Sequence, residues 1–539
     1  MPQVVTRRAL LLRGLASVPL AGAARTAAAQ GEGRMPGGGP ARDAGEAAPA
    51  GPAAFHCDLA APARPLHHPW RRCVGSCHAP LALRADWQRQ LARAHRELGF
   101  EQVRFHGLLS DDMGTLVEQD GRLLPSFFNV DSVFDFLRET GMRPVVEFSF
   151  MPTALASGGA TVFRYRGNIT PPRRMADWTD LVARLAAHWC ERYGVDEVAQ
   201  WPLEVWNEPN LRYFWTAGQA RWFELFRATY DALKAVSPRL RVGGPASAAN
   251  GWLEDFDAFC TRAGIAPDFL STHYYPTDAF GTTLTDTVAQ LAAAPMSVMR
   301  DHALAARRVA GARPLYYTEW NITSNGRDPL HDGPFCAALA VRLALSVDEL
   351  VDAFSWWTFT NIFEENYFPS LPFHGGFGLL NLHGVPKPAW RGFELLARLG
   401  TRTWEAQGAH PTVAAAVGAG DDADASAVLL TNVAMPRHRI ATEPVTMTLA
   451  RADARAARRA TVTRIDASHA NPRAAWEAMG SPEYPTPHQV EALRAASALV
   501  EEPLALERVT TPDGPRTRFA LELPPDATAL VRIEWEGMA

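Results

Sequence analysis

Between about residues 70 and 400 one pattern repeats: a short run rich in β-branched and aromatic residues, then a longer amphipathic segment. The short runs are "RCVGS", "QVRFHG", "RPVVEFSF", "WPLEVWN", "RVGGPA", "FLSTHYYP", "PLYYTEWN" and "FSWWTFT". Intervening segments such as "WQRQLARAHRELG" and "WFELFRATYDALKAVSP" have the apolar spacing of helices. Eight strands with helical crossovers, closed by a helix at "PAWRGFELLARLG", predict a (β/α)8 TIM barrel of the α/β class. A doubly wound sheet is the alternative, but no glycine-rich phosphate turn favours it.

The pattern changes near residue 400. Short alternating runs follow, among them "TVAAAVGAG", "SAVLLTNV", "VTMTLAR" and "ATVTRID". Such runs are typical of an antiparallel β-sandwich. An insertion, "AWEAMGSPEYPTPHQVEALRAAS", is expected to hold a short helix. We therefore predict a barrel over residues 57–398 and a C-terminal antiparallel β-sandwich domain over 399–539.

The N-terminus has a different character from the rest of the chain. Residues 1–30 contain Arg7 and Arg8, an apolar run and the small residues of "TAAAQ", which is the pattern of an export signal. The paired arginines resemble a twin-arginine signal, and a frayed amphipathic terminus is the alternative. Residues 31–56 are rich in Gly, Ala and Pro and predict a disordered linker. Export would place the protein in the periplasm or outside the cell. The apolar run is too short to predict a membrane span.

The net charge and the cysteine content limit the ligands and partners that the sequence predicts. The formal net charge of −5 gives no electrostatic reason to expect nucleic acid or an anionic membrane surface. The six cysteines lack paired zinc-ligand spacing, and His374 and His383 lie among glycines, so no metal and no cofactor are expected. Cys73 and Cys77 could form a disulfide in an oxidising compartment. Free buried thiols are the favoured interpretation, because twin-arginine cargo folds before export.

Polar side chains stand at the ends of several predicted barrel strands. In such barrels active sites form at the C-terminal ends of the strands, so these residues are expected to converge. They are Arg104 and His106 after the second run, Asn207 and Glu208 after the fourth, His273 and Tyr275 after the sixth, Glu319 in the seventh, and Trp357 and Glu365 beyond the eighth. Glu147 and Glu204 lie deeper in their runs, where buried ion pairs or hydrogen bonds are the favoured roles.

Glu208 and Glu319 have matching surroundings, since each lies beside a tryptophan and an asparagine. Hydrolysis of a glycosidic bond with retention needs two carboxyl groups about 5–5.5 Å apart, one that donates a proton and one that attacks the anomeric carbon. Strands four and seven lie on opposite sides of a barrel mouth. The pair therefore predicts glycosidase chemistry, against the alternatives of a turn residue at Glu208 and a structural salt bridge at Glu319.

Other residues of the set suit a sugar. Tryptophan and tyrosine offer a flat apolar face to a sugar ring and a polar tip to its hydroxyl groups. His106, Asn207, His273 and Glu365 could bind hydroxyl groups. Arg104 is expected near Glu319, where its charge would favour the ionised carboxylate. Core packing remains the alternative for His106, His273 and Trp357.

Longer motifs carry a resemblance to a known family. They are "RFHGLLSDDM", "PVVEFSFMP", "VFRYRGNITPP", "WPLEVWNEPNL", "STHYYPT", "YYTEWN", "WWTFTNIFEE", "PFHGGFGLLN" and "MGSPEYPT". From about Cys73 to the C-terminus the chain resembles glycoside hydrolase family 39, and within it the bacterial β-xylosidases. The resemblance implies a retaining double displacement with Glu208 as acid/base and Glu319 as nucleophile.

The same resemblance implies further site roles and a partner. His106, Asn207, His273, Tyr275, Trp357 and Glu365 fall where the xylosidases line the −1 subsite, with Asn207 at the 2-hydroxyl. An oligosaccharide is then the substrate, and an exo-acting β-xylosidase that releases xylose from xylo-oligosaccharides is the favoured activity. The alternatives are an α-L-iduronidase, an endo-acting exopolysaccharide hydrolase, or an inactive carbohydrate-binding protein on the same fold. The resemblance also implies a homo-oligomer, since members of this family often assemble through the barrel and the sandwich.

Overall fold

The computed structural model describes residues 51–277, 286–366, 368–420, 424–451, 456–512 and 514–536. Eight parallel strands close a barrel, in which each strand pairs with the next and the eighth with the first. They are β1 Val74–His78, β2 Gln102–His106, β3 Arg143–Glu147, β4 Pro202–Glu204, β5 Arg241–Ser247, β6 Phe269–Tyr274, β7 Leu315–Trp320 and β8 Ala353–Trp356. Each strand lies within or beside one of the predicted runs, which confirms the TIM barrel.

One long helix follows each barrel strand. The helices are α1 Ala85–Leu98, α2 Phe128–Thr140, α3 Met175–Tyr193, α4 Gly218–Val236, α5 Leu253–Ala263, α6 Val298–Ala310, α7 Pro334–Ser346 and α8 Pro388–Ala397. Helix α1 shows why these segments fold as they do. Trp87, Leu91 and Leu98 recur at helical spacing and are buried against the barrel. The helix ends at Gly99, whose φ of +72° is readily adopted by a residue without a Cβ.

Short elements lie in the connections. A two-stranded hairpin of Leu116–Gln119 and Arg122–Pro125 follows β2, and another of Thr161–Val162 and Gly167–Asn168 follows β3. The remaining short helices are Pro69–Arg72, Ala79–Leu83, Asp111–Met113, Val195–Val198, Ala248–Asn250, Thr287–Ala293 and Pro329–Asp332. Both hairpins and the Asp111–Met113 turn extend from the C-terminal ends of their strands, on the side of the barrel where the polar residues were predicted to converge.

Two further sheets form the sandwich, and its strands pair antiparallel with one exception. The seven-stranded sheet runs in the order Arg64–Pro65, Arg402–Trp404, Val413–Ala419, Ala425–Asn432, Ala527–Trp535, Ala457–Ile465 and Glu501–Pro503. The four-stranded sheet runs Ala53–Asp58, Glu443–Ala450, Gly514–Leu523 and Glu507–Thr511. The predicted insertion holds two helices, Pro472–Ala478 and Pro487–Ala496, where one was expected.

The N-terminal boundary differs from the prediction. The linker was placed over 31–56 and the barrel from 57, but Ala53–Asp58 is a sandwich strand that pairs in parallel with Glu443–Ala450. Ala53, Phe55 and Cys57 are buried in the sandwich core while their neighbours face outward. The alternation of "AAFHCD" is therefore a strand pattern, which the preceding Gly- and Ala-rich sequence obscured. The predicted export signal, residues 1–30, and the rest of the linker up to residue 50 lie outside the described residues.

The thiols behave as the favoured interpretation expected. Cys73 and Cys77 are buried, and neither forms a disulfide within the part of the chain that the structure describes. Burial raises the pKa of the Cys73 thiol to about 12, so it stays uncharged. Across the same described ranges, the helices fall short of the length and hydropathy that a membrane span requires.

Candidate active site

Arg104 lies at the centre of a buried polar network inside the barrel. Its Nε lies 2.6 Å from Glu204 Oε2 and its Nη1 lies 2.9 Å from Glu319 Oε1. Its Nη2 lies 3.0 Å from Asn207 Oδ1 and 2.6 Å from Glu147 Oε2. The planar guanidinium presents five N–H donors in a fixed geometry. Arg104 thus sets the relative positions of four side chains from β3, β4, the loop after β4, and β7.

One guanidinium faces three carboxyl groups in this network. Burial lowers the pKa of Arg104, but the charges of Glu147, Glu204 and Glu319 raise it, and the net pKa lies above the ordinary value. Burial raises the pKa of Glu147 to about 7, although Arg104 and Ser149 oppose this shift. A single cation cannot fully compensate three buried carboxyl groups, and the raised pKa of Glu147 favours its protonated form. The expectation that Glu147 and Glu204 have buried ion-pair or hydrogen-bonded roles is confirmed.

Glu208 and Glu319 approach each other across the barrel. His273 on β6 lies between them, with its Nδ1 3.0 Å from Glu208 Oε1 and 3.7 Å from Glu319 Oε1. A carboxylate oxygen of each glutamate and a ring nitrogen of His273 all lie within 4.8 Å of one another. Nearest oxygens no more than 4.8 Å apart are in line with the ~5–5.5 Å between the carboxyl groups of retaining glycosidases, and not with the ~6.5–9.5 Å of inverting ones.

Glu319 accepts hydrogen bonds from two directions. Arg104 donates to Oε1, and the Tyr275 hydroxyl donates to Oε2 at 2.9 Å. His273 is held from behind, because its Nε2 lies 3.1 Å from Thr318 Oγ1. Donors on both oxygens stabilise a carboxylate and fix its plane. Glu319 is therefore an oriented carboxylate at the end of β7.

His106 faces the same pocket from β2. Its Nδ1 lies 2.9 Å from Glu147 Oε2, and its Nε2 lies 3.5 Å from Glu319 Oε1 and 3.7 Å from Glu365 Oε1. The indole of Trp357 lies over the imidazole, with ring centroids 4.7 Å apart. The contact with Glu147 orients the ring, so the Nε2 atom is the one presented to the pocket.

The backbone at Glu208 has an uncommon conformation. Its φ is +43°, and Trp206 two residues earlier has a φ of +73°. Such angles are costly for residues that carry a Cβ and persist where surrounding contacts impose them. Here the Glu208 N–H donates to the Ala246 carbonyl at 2.8 Å, which fixes the turn against the end of β5. The strained turn directs the carboxyl group of Glu208 toward His273 and Glu319.

Aromatic side chains form the walls of the pocket. Tyr275, Trp357 and Phe377 are buried together, with Phe363 packed against them. Trp357 can take its position because β1 has a glycine below it: a Cβ at Gly75 would collide with the indole ring. The walls thus offer the apolar ring faces that sugars bind.

Every residue of the predicted site reaches this pocket. The nine are Arg104, His106, Asn207, Glu208, His273, Tyr275, Glu319, Trp357 and Glu365. Reasoning from strand ends missed Phe163 and Phe377, which come from loops. Phe163 stacks on His106 with centroids 6.1 Å apart, and Phe377 lies 6.5 Å from Tyr275. Their motifs, "VFRYRGNITPP" and "PFHGGFGLLN", can be recognised in the sequence. Strand periodicity, however, could not predict where these loop residues lie relative to the barrel.

Among the described residues, Glu208, His273 and Glu319 are also the group whose donor atoms lie close enough together to bind a metal ion. The Arg104 guanidinium, in direct contact with Glu319, would lie beside such an ion and repel it. Paired carboxyl groups hydrolyse glycosides without a metal. The arrangement therefore fits acid/base and nucleophilic work better than metal binding.

Comparisons with known proteins identify similar glycosidases. A β-xylosidase of Caldicellulosiruptor saccharolyticus is 44% identical over 436 residues, which cover 80% of this chain and 89% of the relative. The crystal structure of a monomeric β-xylosidase from Caulobacter crescentus CB15 superposes with a TM-score of 0.76 at 30% identity, covering 89% of this chain and 99% of that one. Human α-L-iduronidase is a partial relative, 31% identical over 41% of this chain and 36% of its own length.

The family assignment rests on a family model that matches most of the chain. The model of glycosyl hydrolases family 39 matches residues 55–512, which include the whole barrel and most of the sandwich. Both carboxyl groups and the network around them lie inside the matched region. The chain belongs to glycosyl hydrolases family 39.

Proposed function

We propose that this protein is a retaining, exo-acting β-xylosidase that removes xylose from the ends of xylo-oligosaccharides. One observation carries the proposal: the carboxyl groups of Glu208 and Glu319 face each other with oxygens within 4.8 Å. That spacing is in line with the geometry in which one carboxylate attacks the anomeric carbon directly, and not with the wider one that accommodates a water molecule. The β-xylosidases among the relatives support xylose as the sugar.

Glu319 is the proposed nucleophile and Glu208 the proposed acid/base. Glu319 holds hydrogen bonds from Arg104 and Tyr275, and both stabilise the ionised state that attacks the anomeric carbon. Glu208 contacts His273 and lies on the opposite wall, where it can protonate the leaving oxygen. In the second step Glu208 takes a proton from water, which releases the sugar with its original configuration.

Three polar side chains are proposed to hold the sugar at the −1 subsite. The Asn207 Nδ2 group is buried and has no hydrogen-bond partner among the described residues, so it is a donor ready for a 2-hydroxyl. His106 presents its Nε2 atom beside Glu319 and Glu365. Glu365 is proposed to accept from outer hydroxyl groups, and Trp357 to cover the ring face.

A uronic acid substrate is the second candidate, because an iduronidase is among the relatives. Its carboxylate would need a cationic partner in the pocket. Arg104, the arginine that the barrel strands bring there, is already in contact with Glu147, Glu204, Asn207 and Glu319. Because Arg104 already binds these four side chains, it is not available to a sugar carboxylate, and a neutral sugar is favoured.

Initial rates on a panel of 4-nitrophenyl glycosides would test the function. We expect the β-D-xyloside to be hydrolysed with the highest kcat/KM, ahead of the β-D-glucoside and α-L-arabinoside, with the α-L-iduronide unreactive. NMR of the first product formed should show β-xylose, since retention is expected. Preference for the uronide would overturn the choice of sugar. Xylose binding without turnover of any glycoside would instead support the carbohydrate-binding alternative.

We also propose that the protein is exported, on the strength of the signal-like residues 1–30 and the linker behind them. A periplasmic or secreted β-xylosidase would act on fragments of xylan outside the cytoplasm. Fractionation of cells that express the full chain should place the activity outside the cytoplasm, and changing Arg7 and Arg8 to lysine should retain it inside. Equal distribution of both forms would refute export by this route. The homo-oligomer implied by the family resemblance stays a prediction, which the mass in solution would decide.

A further inference from the structure

His78, the last residue of β1, is a buried imidazole outside the proposed catalytic set. Its Nδ1 lies 2.8 Å from Glu364 Oε1 and its Nε2 lies 3.3 Å from Asp112 Oδ1. The ring stacks on Tyr165 with centroids 3.6 Å apart and an interplanar angle of 11°. A Cβ at Gly107 would come within 2.8 Å of the imidazole, so the ring fills its space. We call His78, Asp112, Tyr165 and Glu364 the His78 cluster.

The members of the cluster come from different parts of the barrel mouth. Asp112 belongs to the turn after β2, Tyr165 to the hairpin after β3, and Glu364 to the segment after β8. The Nδ1 contact with Glu364 is a hydrogen bond, whereas Nε2 faces Asp112 at an ion-pair distance without hydrogen-bond geometry, so the ring attracts both carboxylates only when it is protonated. When protonated, His78 therefore joins the loops of Asp112 and Glu364 by charge, and it joins the loop of Tyr165 by ring stacking.

The cluster is connected directly to the sugar pocket. Glu364 precedes Glu365, whose carboxylate lies 3.7 Å from His106 Nε2. The Glu364 N–H lies 3.4 Å from Cys77 Sγ, next to His78 in the chain. The Glu365 carbonyl accepts from the Arg164 N–H at 2.6 Å, and Arg164 precedes Tyr165. Both sides of Glu365 are thus held by residues adjacent to members of the cluster.

We propose that His78 is a positioning residue, which orients Glu365 toward the outer hydroxyl groups of the bound sugar by holding Glu364, Asp112 and Tyr165 together. The inference rests on the proposed function, since Glu365 has this role only if a sugar occupies the pocket. It goes beyond that function because it assigns the orientation of Glu365 in the −1 subsite to a residue that does not contact the substrate.

The charge of His78 gives the arrangement a pH dependence. Burial lowers the pKa of His78, but the hydrogen bonds and charges of Asp112 and Glu364 raise it, and the net pKa lies above the ordinary value. Burial also raises the pKa of Cys77 and of Tyr165 well above their ordinary values, so both stay neutral.

Further charged groups lie near the cluster: Arg84 interacts with Glu364 but is held mainly by Asp86, and Glu365 acts on Cys77 and Tyr165. As pH rises through the pKa of His78, the imidazole loses its charge and its hold on both carboxylates weakens. Sugar binding should weaken over the same range.

Kinetics of three variants on 4-nitrophenyl β-D-xyloside would test the role. His78→Gln, which keeps one donor and loses the charge, is expected to raise KM roughly tenfold with kcat changed by less than about threefold. Glu364→Gln, at a side chain that is 27% exposed, should do the same with little risk to folding. Glu118→Gln, an exposed acid on the neighbouring hairpin, is the matched control and should leave KM unchanged.

The pH profile separates positioning from general structural support. In the wild type KM should be low in acid and rise on the alkaline side, whereas in His78→Gln KM should already be high in acid and should rise less on the alkaline side. A variant that kept the wild-type profile, or whose apparent kcat fell in proportion to its folded fraction while KM stayed unchanged, would overturn the proposal.

Amide hydrogen exchange tests the role of His78 without depending on catalytic activity. In His78→Gln, peptides that contain Asp112, Tyr165 and Glu364 should exchange faster, while peptides from the sandwich should not change. If the wild type hydrolyses no xyloside but this exchange pattern appears, the proposed function fails and the cluster's role in holding the loops stands. Unchanged exchange in the three loops would overturn the inference, whatever the substrate.

Discussion

Changing Glu319 to glutamine should lower kcat for aryl β-xylosides by about 10⁴-fold or more, the scale seen when a nucleophile is removed. The amide has the shape of the carboxylate, and its one oxygen can still accept from Arg104 while its NH2 group can donate to the Tyr275 hydroxyl. It cannot form the glycosyl ester on which the double displacement depends. The loss should therefore fall on kcat, with the fold and the KM little changed.

Labelling would locate the nucleophile directly. A 2-deoxy-2-fluoro β-xyloside with a good leaving group should form a slowly hydrolysed ester, and mass spectrometry of the digest should place the added mass on the peptide with Glu319. The Glu118→Gln protein, changed at an exposed acid, is the control and should label like the wild type. Near-normal turnover by Glu319→Gln, or a label on Glu208, would exclude the assignment.

Changing Glu208 to alanine should have the second largest effect, and one that depends on the leaving group. Without a proton donor, hydrolysis of an alkyl xyloside should fall by about 10²–10⁴-fold, the usual contribution of a general acid. The first step on 4-nitrophenyl xyloside should be nearly spared, because that leaving group departs without a proton. Deglycosylation should then limit the rate, since water has lost its general base.

Azide would verify this role, because it attacks the glycosyl ester without base assistance. Added azide should raise the rate of Glu208→Ala on 4-nitrophenyl xyloside and yield β-xylosyl azide. It should not accelerate the wild type or Glu319→Gln. An α-azide product would exchange the roles of the two glutamates, and the absence of any rescue would remove Glu208 as acid/base.

The barrel could be predicted because its information is local. Each strand of the barrel coincides with a short run of β-branched and aromatic residues, and each main helix with a segment of helical periodicity. Glu208 and Glu319 could be placed at the mouth for the same reason, since a residue at a strand end lies at the C-terminal face of a barrel. The strand Ala53–Asp58 was missed because six residues beside a Gly- and Ala-rich segment carry too weak a period.

The contacts that make the site work could not be predicted from the order of residues. Arg104 and Glu319 are 215 residues apart and meet only because eight strands close with one register. That closure sets the separation of Glu208 and Glu319 and brings His78 against loops that follow three other strands.

The sequence by itself determined which elements form, in which order, and which carboxyl groups end the fourth and seventh strands, because periodicity and strand ends are properties of neighbouring residues. The tertiary structure alone decided the distances, the sharing of one guanidinium among three carboxyl groups, and the cluster around His78, because these depend on packing between segments distant in the chain.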